Sequence, residues 1–487
     1  MALRSSHAFF APLMILMLAG PFAAAEERTQ NFDVDPGWDG RNNHSTVPEV
    51  RTMVQEFGYS NTSHAGGKSA GELGGMITPA GEPAYYARPI TKKTYDDRMM
   101  ASGTLNCTGR HFNVLVCFFN ANTLKEWRTP NTIALRLYGR GDVFYAYVEY
   151  ATGRWRAGGD SPRPFAVTED PQTGRKTPIS FASNKVHRWS LTYDPLANNR
   201  HGAITATIDD ESAVCNLEPG HKKDGGEFNH FGLLNVVKHA DTGGEVWLDD
   251  VAVDGQTEDF SRDPRWDEFQ NRRTYVTTDV RPRFDFGYSA TNHAGGQRVG
   301  ELGGLMFRGD NRDPAKMAYY GDGIGPLSIQ QTLRAGGKIS LRRANSDSTT
   351  LFGFFDSKES TIVSDDQSQS LPKNFLGIAI EGPSRHGFFV YPACRTDGDA
   401  YRFSFEPEPP RILPDGSSHD WTLQYTPPTP RRKGRITVTL DGKGANLNLD
   451  GRVNPAAQFD RFGLITTCID GNGQGIYFDD LSYTSAN

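Results

Sequence analysis

"VWLDDVAV", Val246–Val253, returns near the end of the chain as "IYFDDLSY", Ile476–Tyr483. Each run alternates apolar with small or polar residues, the pattern of a β-strand with one buried face. Working outward, the neighbours of the two runs also match. "HRWSLTYDP" from His187 answers "HDWTLQYTP" from His419, and "GAITATID" from Gly202 answers "GRITVTLD" from Gly434. "FNHFGLL" from Phe228 answers "FDRFGLI" from Phe459, and "CFFNA" from Cys117 answers "GFFDS" from Gly353. Nearer the start of each copy, "AYY" at Ala84 and Ala318 and "DP-x-W" ending at Trp38 and Trp266 recur in the same order. Order and spacing hold over almost the whole chain, so this is a tandem duplication. Turn signals such as Asp441-Gly442 separate short alternating runs, and amphipathic helical patterns are scarce. The expected fold is all-β: two tandem antiparallel β-sandwich (jelly-roll) domains, residues 26–255 and 256–487.

Residues 1–25 read as a signal peptide. Arg4 precedes the apolar run "AFFAPLMILMLAGPF", and Ala23-Ala24-Ala25 supplies small residues for cleavage. The run is short for a bilayer span, and no later stretch is as apolar, so membrane insertion is not expected. The expected location is secreted or periplasmic. A net charge of −6 without a basic stripe argues against nucleic acid as a partner. Five cysteines fall at positions that do not match between the copies and form no C-x-x-C pair. The shared chemistry is therefore not carried by cysteine.

The "H-x-W" strand, the "F-x-x-F-G-L" strand and the final "D-D" strand together resemble the concanavalin A-like lectin/glucanase superfamily. The resemblance implies two packed antiparallel sheets, with glycan bound on a concave face or in loops at its rim. It also implies a polysaccharide or glycan as partner. No E-x-D-x-x-E or R-x-E-x-R catalytic pattern of that superfamily's enzymes occurs in either copy.

One stretch is nearly verbatim in both copies: "GYSNTSHAGGKSAGELGG", Gly58–Gly75, and "GYSATNHAGGQRVGELGG", Gly287–Gly304. Ser60, Thr62 and His64 match Ser289, Thr291 and His293, while the residues between them drift. In an extended chain the matching set shares one face. Glycine pairs then bracket Glu72 and Glu301, and a tight turn would bring each glutamate back toward its histidine.

Three readings are open. The row is an internal hydrogen-bond network capped by the glutamate. Alternatively, Glu72 with Asp249 or Asp250, and Glu301 with Asp479 or Asp480, hold a structural calcium ion, as proteins of the resembled superfamily often do. Alternatively, His64, Glu72, His293 and Glu301 are catalytic candidates in a sugar cleft. Ser60, Thr62, Ser289 and Thr291 would then contact substrate, with Tyr85, Tyr86, Tyr319 and Tyr320 as stacking platforms. Apart from the structural calcium of the second reading, no cofactor is required. Trp38 and Trp266 are expected to plug a sandwich end or fix the domain junction. The expected function is binding, with cleavage by a glycoside hydrolase or polysaccharide lyase mechanism as a further step. A non-catalytic lectin-like or surface-interaction protein is the alternative.

Overall fold

The computed structural model describes residues 25–486, except 46–49, 109–110, 125–128, 160–164, 166, 170–171, 173–175, 239–240, 278–280, 365–369, 383–384, 397–400, 403–407 and 450–452. The expected signal peptide lies outside the described residues but for Ala25. Antiparallel strands dominate, with four short 3-10 turns and no α-helix among the described residues. No helix there is long and apolar enough to cross a membrane.

The strands form two sandwiches with the same strand order. In the first, the back sheet runs Glu211–Asn216, Ala203–Ile208, His187–Asp194, Met99–Cys107, Gly244–Val253, Glu72–Ile77, Thr52–Ser60. The front sheet runs Ala157–Gly159, Val143–Ala151, Thr132–Arg140, Phe112–Phe119, Glu227–Asn235, Tyr85–Thr94. The second copy repeats both orders, its back sheet running from Lys443–Leu449 to Phe284–Ser289 and its front sheet from Tyr401–Arg402 to Tyr319–Ser328. Period-2 alternation supplies each core. Phe144, Ala146, Val148 and Tyr150 point inward on one strand, and Trp189, Leu191 and Tyr193 face them from the other sheet. Trp189 and Trp421 are core residues, 2% and 1% exposed.

The strands do not divide at the expected boundary after Gly255. Gln256–Glu258 turns back onto Gly244–Val253, and Asp267–Phe269 and Arg272–Val276 extend the first copy's two sheets. Conversely, Ala25–Gln30 pairs with Gly473–Ala486, and Asp39–Arg41 pairs with Tyr319–Ser328, both in the second copy. The two "DP-x-W" segments therefore serve matching roles on different bodies. Phe260 and Trp266 sit in the first core. Phe32 sits in the second core, with Trp38 packed against it. In the first sandwich the strand Gly244–Val253 continues into its own hairpin arm, whereas the second sandwich takes its arm from the segment Ala25–Arg41. That segment starts beside the last strand, with Ala25 opposite Ala486.

Hydrogen bonds repeat this exchange atom for atom. The Asn271 side chain donates to the Phe57 carbonyl at 2.6 Å, and the Asn43 side chain donates to the Phe286 carbonyl at 2.7 Å. The Tyr86 hydroxyl donates to Asp263 at 3.2 Å and the Tyr320 hydroxyl to Asp35 at 3.4 Å.

Candidate functional site

Consider first what the repeated eighteen residues build. Ser60 and Ser289 end one strand, and Glu72 and Glu301 open the next, directly opposite them. The loop between crosses over the glutamate side chain. Glu72 accepts the backbone N–H of His64 at 2.8 Å and of Ala65 at 2.7 Å. Glu301 accepts those of His293 and Ala294 at the same distances. Thr62 donates to Ser60, Ser289 and Thr291 share a hydrogen bond, and Thr291 also donates to Glu301. Both glutamates are 0% exposed.

The imidazoles turn elsewhere. The His64 ring lies 4.5 Å from the Trp247 ring and the His293 ring 4.5 Å from that of Tyr477. Acid and imidazole therefore do not share a pocket: each carboxylate meets its histidine's backbone, not its ring. The glycines have their own task. A Cβ on Gly71 would lie 1.8 Å from the Phe260 carbonyl oxygen, and one on Gly300 1.9 Å from that of Phe32. The repeated loop is thus the socket in which each arm docks.

Asp249 and Asp479 are buried beneath the same loops, 0% exposed. One oxygen of each accepts the next residue's N–H, at 2.6 and 2.7 Å. The other has no well-formed hydrogen bond, and a Cβ on Gly67 or Gly296 would lie 1.8 Å from it. Asp250 and Asp480 sit at a bulge with φ of 48° and 47° and are only half-buried. Calcium needs six to eight oxygens. Here both glutamate oxygens are taken by backbone donors and the spare aspartate oxygen abuts glycine. Among the described residues no cluster of three or more potential metal ligands occurs. The residues present do not fit the ion.

Burial, and then the neighbouring acids Asp250 and Glu72, push Asp249 up to about 6. Burial, Asp480 and Glu301 push Asp479 up to about 7. Well below pH 4 these groups are protonated whether folded or not. As pH rises, the unfolded chain releases its protons first, so the contribution of both groups falls until pH 6 to 7 and is flat above. Thermal midpoints of the parent and of Asp249→Asn/Asp479→Asn should therefore diverge between pH 4 and 8. The parent's midpoint should fall further than the variant's across that range.

The tyrosines of "AYY" are placed by the same alternation. Tyr86 is 0% exposed and Tyr320 7%, the first stacked on and the second tilted against the arm tryptophan of its body. Tyr319 donates to Asp39 at 3.1 Å and is likewise buried. Tyr85 lies against Phe269, Phe119 and His230. Tyr86, Tyr319 and Tyr320 are therefore closed to a ligand, and Tyr85 is half-buried under its aromatic neighbours.

A half-buried aromatic surface lies on the outer face of the first front sheet. Residues of Val143–Ala151 that do not enter the core, Tyr145, Tyr147 and Glu149, face outward beside Tyr138, Arg136 and Ala134 of the paired strand. The three tyrosines are half-buried. Arg136 lies 4.7 Å above the Tyr147 ring and 3.6 Å from Glu149. This row leads into a cleft of about 340 Å³ between the two sandwiches. Arg136, Glu149 and Val237 line one side, and Ser346, Asp347 and Asn472 of the second sandwich line the other. Lys238 bridges it to Asp347 at 3.1 Å. The signal was present in "VFYAYVEY", Val143–Tyr150, where one alternating set is core and the other is Tyr, Tyr, Glu. Its register counterpart, "FFVYPACR", is closed: Phe389 and Tyr391 are 4% exposed.

No family model matches the chain, and no curated protein matches it. Among solved structures, domains LG4-5 of the mouse laminin α1 chain are similar over 88% of this chain and 92% of that one, at 12% identity and a TM-score of 0.24. An alginate lyase of Pseudomonas aeruginosa is similar over 42% and 87%, at 11% identity and 0.24. Peanut lectin is similar over 38% and 84%, at 12% and 0.25. At these values the architecture rests on its own strand order.

Proposed function

We propose that this is an exported glycan-binding protein, with its binding surface on the outer face of the first front sheet. One observation carries the reading: Tyr138, Tyr145 and Tyr147 form a half-open aromatic row beside the interdomain cleft, on a sheet whose other face is core. From Tyr145 to Glu149 the row covers about 13 Å, the reach of a few sugar units. Sugars stack their apolar faces on such rings while arginine and carboxylate side chains take their hydroxyls. The leader-like first 25 residues support export.

Affinity electrophoresis of the mature protein through plant and algal polysaccharides tests this. At least one polysaccharide should retard it, and Tyr145→Ala/Tyr147→Ala should weaken that retardation about ten-fold. Retardation unchanged by the double variant would place the surface elsewhere.

Cleavage is the second reading, favoured by Glu149 and Asp347 lining one cleft. Glycoside hydrolysis uses two such carboxyl groups. Both are engaged by cations here, Glu149 by Arg136 and Asp347 by Arg308 at 2.6 Å, so binding without cleavage fits better. Reducing ends released by the parent but not by Glu149→Gln would reverse that order.

A further inference from the structure

We infer that the glycan taken by this surface is anionic, and that each molecule holds one such site; the inference rests on the glycan-binding reading above. It comes from hydrogen-bond capacity at the end of the aromatic row. Arg140 donates to the Tyr138 hydroxyl oxygen from Nε at 3.1 Å and from Nη2 at 2.8 Å. Its guanidinium carbon lies 5.0 Å from the Tyr138 ring centroid. His111 Nε2 lies 3.1 Å from the same hydroxyl.

A phenol oxygen has two lone pairs, and Arg140 uses both. The phenol proton therefore goes to His111 Nε2, which fixes the imidazole as the tautomer with its proton on Nδ1. What remains unused is three N–H bonds of Arg140 and the Nδ1–H of His111. Every one is a donor. Among the described residues neither Arg140 nor His111 meets a carboxylate, and both are exposed. Tyr145 lies directly across from Tyr138 on the paired strand and supplies the ring beside this donor cluster. A donor-only cluster with a fixed cation next to a sugar platform suits a carboxylate or sulfate group carried on a sugar ring.

The second copy lacks it. Glu381 occupies the register position of Tyr138, where it pairs with Arg308 at 2.6 Å and accepts from the Tyr391 hydroxyl. Phe389 replaces Tyr145 and Ala379 replaces Arg136. A buried aromatic and a paired carboxylate there offer an anion nothing.

Three polymers of one backbone test this with the mature protein: hydroxyethyl cellulose, carboxymethyl cellulose and cellulose sulfate, all at 0.15 M salt. One of the two charged forms should bind at least ten-fold more tightly than the neutral form, and which one names the source of the anion. Arg140→Ala should remove that preference and Arg140→Lys restore part of it. Arg432→Ala/Lys433→Ala, in the distant basic turn, should leave it intact. Stoichiometry should be one site per chain. Equal affinity for charged and neutral polymers, or a preference that survives Arg140→Ala, overturns the anion assignment and leaves glycan binding standing. Absence of binding to all three overturns the anion assignment, and glycan binding itself falls only if the plant and algal polysaccharides also fail to retard the protein.

Discussion

A chain lacking residues 25–44 is expected to lose the second sandwich as a cooperative unit while the first stays folded. The deletion removes Phe32, 0% exposed in the second core, and its 5.1 Å edge contact with Trp38. It also removes the strands that pair with Gly473–Ala486 and Tyr319–Ser328. Emptying a buried phenylalanine site alone costs about 3–5 kcal/mol. With two strand pairings gone as well, the loss reaches the whole stability of an ordinary domain, about 5–15 kcal/mol. Calorimetry should show two transitions in the parent and one in the deletion. The point variants Phe32→Ala and Phe260→Ala should each lower a different transition, Phe32 acting on the second sandwich and Phe260 on the first. Should Phe32→Ala lower the same transition as Phe260→Ala, the arms do not dock as described.

The second large effect concerns Glu72 and Glu301. Each accepts two backbone N–H groups inside a sealed loop. Replacing either by alanine leaves those donors buried without partners, at about 1–3 kcal/mol each. A loss near 4 kcal/mol per variant is expected, seen as a lower midpoint in urea. Below that midpoint, affinity for any glycan the parent binds should be unchanged. A catalytic or ligand-holding glutamate would give the opposite pattern, with stability kept and binding or turnover lost. Glutamine should be milder than alanine, because one of its terminal atoms still accepts.

Much of this architecture is readable from residues alone. Alternation in "HRWSLTYDP" and "GAITATID" identifies half-buried strands, and the duplicated order identifies two equal sandwiches. Trp38 and Trp266 are legible as plugs, because a large ring after "DP" at the head of each copy has no strand pattern around it. Which body each one plugs is not legible. Pairing of Gln30 with Leu481 leaves no mark in either local sequence.

The eighteen-residue repeat misleads for a physical reason. Spacing brings Glu72 to His64, yet it does not say whether the carboxylate meets the ring or the backbone. In a loop rich in glycine the backbone donors lie closer. Chemistry-bearing residue types thus drew attention to a socket, whereas the plain alternation of "VFYAYVEY" marked the open face.

Paired cysteines measure the exchanged arm most directly. Thr29 lies opposite Ser482 in the strand pairing, and the matching position on the first sandwich is Ala252. Directly opposite residues on antiparallel strands come within disulfide reach. The five native cysteines are unpaired, four of them buried, so they compete little. Dilute oxidation of Thr29→Cys/Ser482→Cys should give an intramolecular disulfide in the monomer, while Thr29→Cys/Ala252→Cys gives none. A bond to position 252, with none to 482, would contradict the arrangement.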